Sequence, residues 1–437
     1  DPTKNVLVDI HEAKRYTFNY GLGLEFQTGQ PSASSNVPQG RTGVSPRVTL
    51  EVTRLNFRGV DHTITFKGHL GRLQQRALIS YNAPGWLDND KLTLSFTGFY
   101  DNTLDITTFT SKRLEGAVQV HQCFGTTNQC SSRPPSEMVY SFTYRRVQAS
   151  NLVISPNLIP VLSQPTRVGS PGFTYIRDRR DNPLESTKGN YTTIDGAVAS
   201  SYFGSEADFS RLLIQNSSYH VVGKHRPSSR QFVIARSTRV GIENPFGNTV
   251  ILEPAELLTA PPTVNLIPLP ERFLSGGGNS HRGFGLNQAG PRDLKTGYPT
   301  GGSGLFLNQF ELRLPPADLP FVQDNISFAI FHDMGNVFAK PSDMVDHIFR
   351  WKQKNASLCM NQATYTQCDF NYISHAIGLG VHYKTPIGPV RFDFGYNLNP
   401  PVFPRFAIIN TVNGVPSQFD PQQAGHFNFF FSIGQSF

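Results

Sequence analysis

Nowhere in this chain do about 18 consecutive apolar residues occur, so no membrane-crossing helix can be drawn. Charge is also scarce: Asp, Glu, Lys and Arg make up 16% of 437 residues, against roughly 25% in an ordinary soluble protein. Catalytic signatures are missing as well. There is no G-x-S-x-G elbow, no H-E-x-x-H pair, no Walker loop and no dinucleotide fingerprint, and the 12 histidines are dispersed. The run Gly276 to Gly278 precedes no helical pattern whose N-terminus would hold a phosphate. No catalytic residue, metal site or cofactor is therefore expected, and the chain is expected not to be an enzyme.

What is present points to strands in lipid. Aromatic residues reach 12%, with 34 Phe and 15 Tyr, yet the mean hydropathy is negative. A chain that is aromatic, poor in charge and without an apolar helix crosses a membrane only as a closed barrel, because every backbone group must find a partner inside the structure. The net charge of +7 is scattered along strands and turns and gathers on no helix or tract, so nucleic acid is not an expected partner.

The four cysteines form two local pairs, Cys123 with Cys130 and Cys359 with Cys368, each closing a hairpin-sized loop rich in Gln, Asn, Ser and Thr. Disulfides in an oxidising envelope compartment fit this spacing better than free thiols. A zinc clip normally uses a tighter pair. The chain opens at Asp1 with neither Met nor an export signal, and the expectation is that an N-terminal part precedes it.

Strict period-two alternation recurs from end to end, which is the cumulative signature of a membrane barrel. Phe18, Tyr20, Leu22, Leu24 and Phe26 alternate with Asn19, Gly21, Gly23, Glu25 and Gln27. Val390, Phe392, Phe394 and Tyr396 alternate with Arg391, Asp393, Gly395 and Asn397, a charged set suited only to an aqueous lumen. Runs of this kind number about sixteen, from 15–28 to 425–437, an even count as a single-chain bacterial barrel requires. If the first strand runs outward, the long connections 29–44, 151–167, 241–302, 339–372 and 399–424 all fall on the extracellular side. In the closing run, Phe427, Phe429, Phe431, Ile433 and Phe437 share one face. The fold class is thus all-β, a transmembrane antiparallel barrel in the bacterial outer membrane.

The connection from about 241 to 302 is far longer than ordinary and is expected to be functional or disordered. It contains Gly276, Gly277 and Gly278, then His281, Arg282, Gly283 and Phe284. Two strands follow, with Phe310, Glu311, Leu312 and Arg313 in the first, and Phe331, His332, Asp333, Met334, Gly335 and Asn336 in the second. In this order the three segments resemble the sixth-loop, twelfth-strand and thirteenth-strand signatures of the BamA/TamA superfamily of outer-membrane assembly factors. Asp178 to Pro183 resembles the turn before that family's ninth strand. Tyr383 to Gly395 resembles its fourteenth-to-fifteenth hairpin. Residues 1–14 resemble the end of a last periplasmic POTRA repeat, leaving 15–437 as the barrel.

The resemblance implies that the long loop folds back into the lumen, with Arg282, Gly283 and Phe284 at its tip. Arg282 would then meet Asp333 and Glu311, which alternation independently places on the inner face. A guanidinium forks well onto carboxylates and would pin the loop. His281 departs from the aliphatic residue usual at its position. The resemblance further implies insertion of unfolded outer-membrane proteins through a lateral gate. That gate would involve Tyr20, Leu22 and Leu24 of the first strand and Gly425, Phe431 and Phe437 of the last, with accessory envelope subunits and outer-membrane lipid as partners. The alternatives are a protein-secretion pore of the TamA or two-partner type, a porin-type transport barrel, and a surface adhesin.

Overall fold

A strand with one apolar and one polar face satisfies its backbone in lipid only when both of its edges are paired. Repetition of that pattern along this chain produces one sheet of sixteen antiparallel strands. The computed structural model describes residues 14–27, 43–71, 74–103, 106–125, 134–183, 185–223, 231–316, 325–385, 390–408 and 417–433. The strands of the first half are β1 Tyr16–Gln27, β2 Gly43–Phe57, β3 His62–Gly71, β4 Gln74–Pro84, β5 Leu92–Thr103, β6 Thr110–Phe124, β7 Ser136–Ser150 and β8 Thr166–Asp178. The second half adds β9 Gly189–Ala199, β10 Phe209–Val222, β11 Phe232–Pro245 and β12 Gly304–Arg313. It ends with β13 Ile326–Phe338, β14 Ser374–Tyr383, β15 Val390–Asn397 and β16 Phe427–Ile433.

Each strand pairs with its neighbours in chain order, so β1 and β16 stand at the two ends of that order. Among the described residues, no hydrogen-bonded register joins these two strands. The faces are those of a membrane barrel. On β15, Phe394 and Tyr396 are exposed while Arg391, Asp393 and Asn397 are buried. On β12, Phe310 is exposed and Glu311 is fully buried. Apolar outside and charged inside is the reverse of a soluble protein.

Turns such as 58–61 and 85–91 lie at one end of the barrel. The long connections 151–165, 246–303, 339–373 and 398–426 lie at the other. That end also carries one of the shortest connections, since only residues 72 and 73 separate β3 from β4. Read as loops from sequence, the long connections carry their own structure. Thr249–Val250 pairs with Asn265–Leu266, Val402–Phe403 with Gln422–Gln423, and Phe406–Ile408 with Ser417–Phe419. They pack on each other as well: Phe109, Ile154, Leu158, Leu257 and Leu269 share one buried apolar cluster. Leu294, Phe370 and Phe403 form another around the Cys359–Cys368 disulfide.

Several sequence expectations fall outside the described residues. These are the POTRA remnant up to residue 13, Cys130 of the other expected disulfide, and Phe437. Gly425 lies just ahead of β16, which begins at Phe427.

Candidate functional site

The 246–303 connection turns inward because its glycines permit it. Gly276 and Gly277 have φ of 114° and 105°, and a Cβ at Gly276 would sit 2.3 Å from the carbonyl oxygen of Gly285. The turn presents His281, Arg282, Gly283 and Phe284, all buried, to the inner faces of β12–β16.

Arg282 is fully buried. Its Nε and Nη2 donate to Asp333 Oδ2 and Oδ1, each at 2.8 Å, and its Nη1 donates to Glu311 Oε2 at 3.0 Å. Its backbone N–H adds a bond of 2.9 Å to Asp333 Oδ2. The guanidinium lies 3.4 Å from the centroid of the Phe331 ring, stacked on it. Glu311 also accepts from Arg313 at 2.9 Å and Arg391 at 3.3 Å, and Arg391 donates to Asp393 at 3.2 Å. Three guanidiniums therefore face three carboxylates. Burial opposes the charge on Arg282, but Asp333, Glu311 and Asp393 hold its pKa above the usual arginine range.

The backbone around the tip is equally constrained. A Cβ at Gly395 on β15 would lie 2.1 Å from the Arg282 carbonyl oxygen, so only glycine lets the loop approach there. The Gly283 carbonyl accepts from Asn397 and Asn428, both at 2.9 Å, which ties the tip to β15 and β16. Phe430 of β16 faces inward, buried beneath Gly278. His281 fills the place next to Arg282 as a neutral ring. Its Nε2 donates to the Ser374 carbonyl at 3.1 Å and its Nδ1 accepts from Gly283 N–H at 3.1 Å, an arrangement that assigns the tautomer. The ring also packs edge-on against Phe284, with centroids 5.0 Å apart. Burial holds the His281 pKa below the ordinary histidine value.

The same loop is fastened a second time, at residues the sequence reading missed. Arg145 of β7 donates from Nε and Nη2 to the two carboxylate oxygens of Glu271, at 2.9 and 2.7 Å. Burial pushes Glu271 up, but Arg145 overrides it and brings the pKa down to about 2. Arg211 of β10 donates to the Glu271 carbonyl at 3.1 Å. Further along, Gln288 donates to Thr107 at 2.6 Å and the Ser155 N–H donates to Asp293 at 3.0 Å. The loop thus spans the lumen from the β7 side to the β15–β16 side.

The expected gate residues are less enclosed. Tyr20 and Leu22 on β1 are 86% and 87% exposed. Leu24 pairs by backbone with Pro46 of β2. Phe431 faces outward beside Phe392, with ring centroids 5.1 Å apart.

Sixteen antiparallel strands, a lipid-facing apolar exterior and a charged lumen held by an inserted loop define a β-barrel of the bacterial outer membrane. The chain belongs to the Omp85 superfamily, whose domain matches residues 56–437. Over 228 residues it is 22% identical to the outer-membrane protein assembly factor BamA of Nitratidesulfovibrio vulgaris. That alignment covers 52% of this chain and 22% of the relative, so the matched part is a minor share of that protein. Among solved structures, BamA from Haemophilus ducreyi lacking POTRA domains 1–3 superposes with a TM-score of 0.64 at 16% identity. The superposition covers 96% of this chain and 70% of the other. CdiB from Acinetobacter baumannii aligns with a TM-score of 0.46 at 11% identity, covering 95% of this chain and 60% of that one.

Proposed function

We propose that this barrel inserts unfolded β-barrel proteins into the outer membrane through a lateral gate between β1 and β16, in concert with accessory envelope subunits and without covalent chemistry. The observation that carries the reading is the state of β1. Every described side chain from Tyr16 to Tyr20 is exposed, those of both faces included, and Leu22 is as well. A strand in this state offers backbone donors and acceptors on its outer edge to a client strand, which adds by β-augmentation. The relatives named as assembly factors support the same reading. The lumen lock at Arg282 contributes by keeping β12–β16 and the inserted loop rigid while β1 moves.

The test separates an insertase from a secretion pore. With Tyr20→Cys and Phe429→Cys introduced in the full-length protein and bridged by a bifunctional maleimide, client assembly into liposomes is expected to stop and to return when a cleavable bridge is cut. Bridged barrels that still assemble the client at the unbridged rate would refute the gate. Unbridged protein that performs no better than empty liposomes, while passing an unfolded exoprotein, would move the assignment to secretion.

A further inference from the structure

One part of the extracellular surface lies outside the barrel wall. Register and alternation put Val240 and Ile242 of β11, Phe306 of β12 and Met334 of β13 on the outward face, the face that carries the exposed Phe310, Phe328 and Ile330. The helix Pro341–His347 packs its buried Met344 into this set, together with Phe338 and Ile373. It is therefore applied to the exterior of β11–β13 near their extracellular ends. The chain then continues along the outside. Trp351 stacks on His375 with ring centroids 4.3 Å apart, and His375 lies beside Met334 in the β13–β14 register, again on the outward face.

The other side of this segment turns away from the protein and is apolar. Phe349 is 90% exposed, and Val345 and Trp351 are each 67% exposed. Lys352 and Lys354 are exposed next to them, with Asp346 the exposed acid in the stretch, while Arg350 is engaged by Asp369 at 2.7 Å. Apolar side chains bracketed by lysines, on a short helix lying against the outer wall, form the pattern of an element seated at a membrane interface. Trp and Lys are the residues that favour that depth.

We propose that residues 341–354 form an outer-leaflet foot, in which Val345, Phe349 and Trp351 enter the boundary of the acyl chains and Lys352 and Lys354 engage phosphate-bearing lipid headgroups. The occupant is lipid because the segment continues the lipid-facing belt of the wall it packs against. The consequence is local: the foot braces β11–β14 in the bilayer. The inference rests on the outer-membrane placement of the barrel and is independent of the insertase reading.

The chain holds two tryptophans, Trp86 and Trp351, and Trp86 lies in the turn between β4 and β5 at the opposite end of the barrel. A Trp86→Phe full-length protein thus makes Trp351 the single reporter. In nanodiscs whose lipids carry bromine near the headgroup end of the acyl chain, Trp351 emission is expected to be quenched and shifted to shorter wavelength, and aqueous iodide should quench it weakly. Bromine placed on phosphatidylglycerol alone should quench more than bromine placed on phosphatidylcholine alone, and Lys352→Glu with Lys354→Glu should remove that preference. Phe349→Ser should reduce the quenching while the folded barrel keeps its unheated gel mobility. Full iodide quenching with no effect of brominated lipid would overturn the foot. Equal quenching by the two brominated lipids in the unsubstituted lysine background would overturn its headgroup preference.

Discussion

The first strand and the last meet different surroundings although they flank the same seam. On β1, the described side chains of both faces are exposed from Tyr16 to Tyr20. On β16, Phe427 and Phe429 face out, but Asn428 and Phe430 are buried against the loop tip. Among the described residues, the register that holds β1 is the ladder to β2, whereas β16 is held by β15 and by the inserted loop. Stability in such a molecule is uneven by construction: the edge with few buried contacts opens at low free energy, and the edge pinned by buried polar groups does not. In the gate proposed above, β1 is then the moving leaf and β16 the fixed post.

The largest test of this asymmetry is Arg282→Ala. It leaves Glu311 and Asp333 with one buried partner fewer, and removing one member of a buried pair costs about 3–5 kcal/mol. Hydrogen exchange is expected to rise across β12–β16 and to stay unchanged in β1. A matching rise in β1 would break the comparison. Arg282→Lys should fall between, because an ammonium cannot fork onto both carboxylates.

Glu271→Ala should loosen the loop from β7 at a cost of about 2–5 kcal/mol and expose the 246–303 connection to protease. Its pH dependence has a definite sign. The folded pKa of about 2 is lowered, so this contribution is complete above the ordinary carboxylate range and is lost as pH falls through about 2. Gly395→Ala should cost about 1–3 kcal/mol through overpacking against the Arg282 carbonyl, read as a lower unfolding temperature with β1 exchange untouched.

The smallest effect belongs to His281. Its folded pKa is depressed, so its contribution is complete above the ordinary histidine value of about 6.5 and declines as pH falls through it. Mild acid should therefore raise exchange at the β14–β16 tip contacts, and His281→Phe should weaken that pH response.

Much of this was legible in the residues because a barrel writes its faces into a period of two. The sixteen strands, the outward Phe310 and Phe328, and the inward Glu311, Asp333 and Asp393 all follow from alternation. The contact of Arg282 with two carboxylates followed from a motif order spread over neighbouring strands. Arg145 with Glu271 was invisible: Arg145 sits in an ordinary alternating strand, Glu271 in a loop, and 126 residues separate them. The helix at Pro341–His347 lies within a connection that is a loop by sequence, because its seven residues are too few for helical periodicity to show. The inward face of Phe430 is not legible in the sequence because the closing strand carries Phe on both faces.

The spacing of the two fastenings also bears on how the protein reaches its own folded state. Arg282 closes segments of 29 and 51 residues with Glu311 and Asp333, whereas Glu271 closes 126 with Arg145. Closure entropy grows with the logarithm of length, so the longer connection is dearer by about 1 kcal/mol. The Arg282 fastening is therefore expected to close before the Arg145–Glu271 one, and pulse-labelled hydrogen exchange during folding should protect β12–β13 ahead of the contact between β7 and the loop.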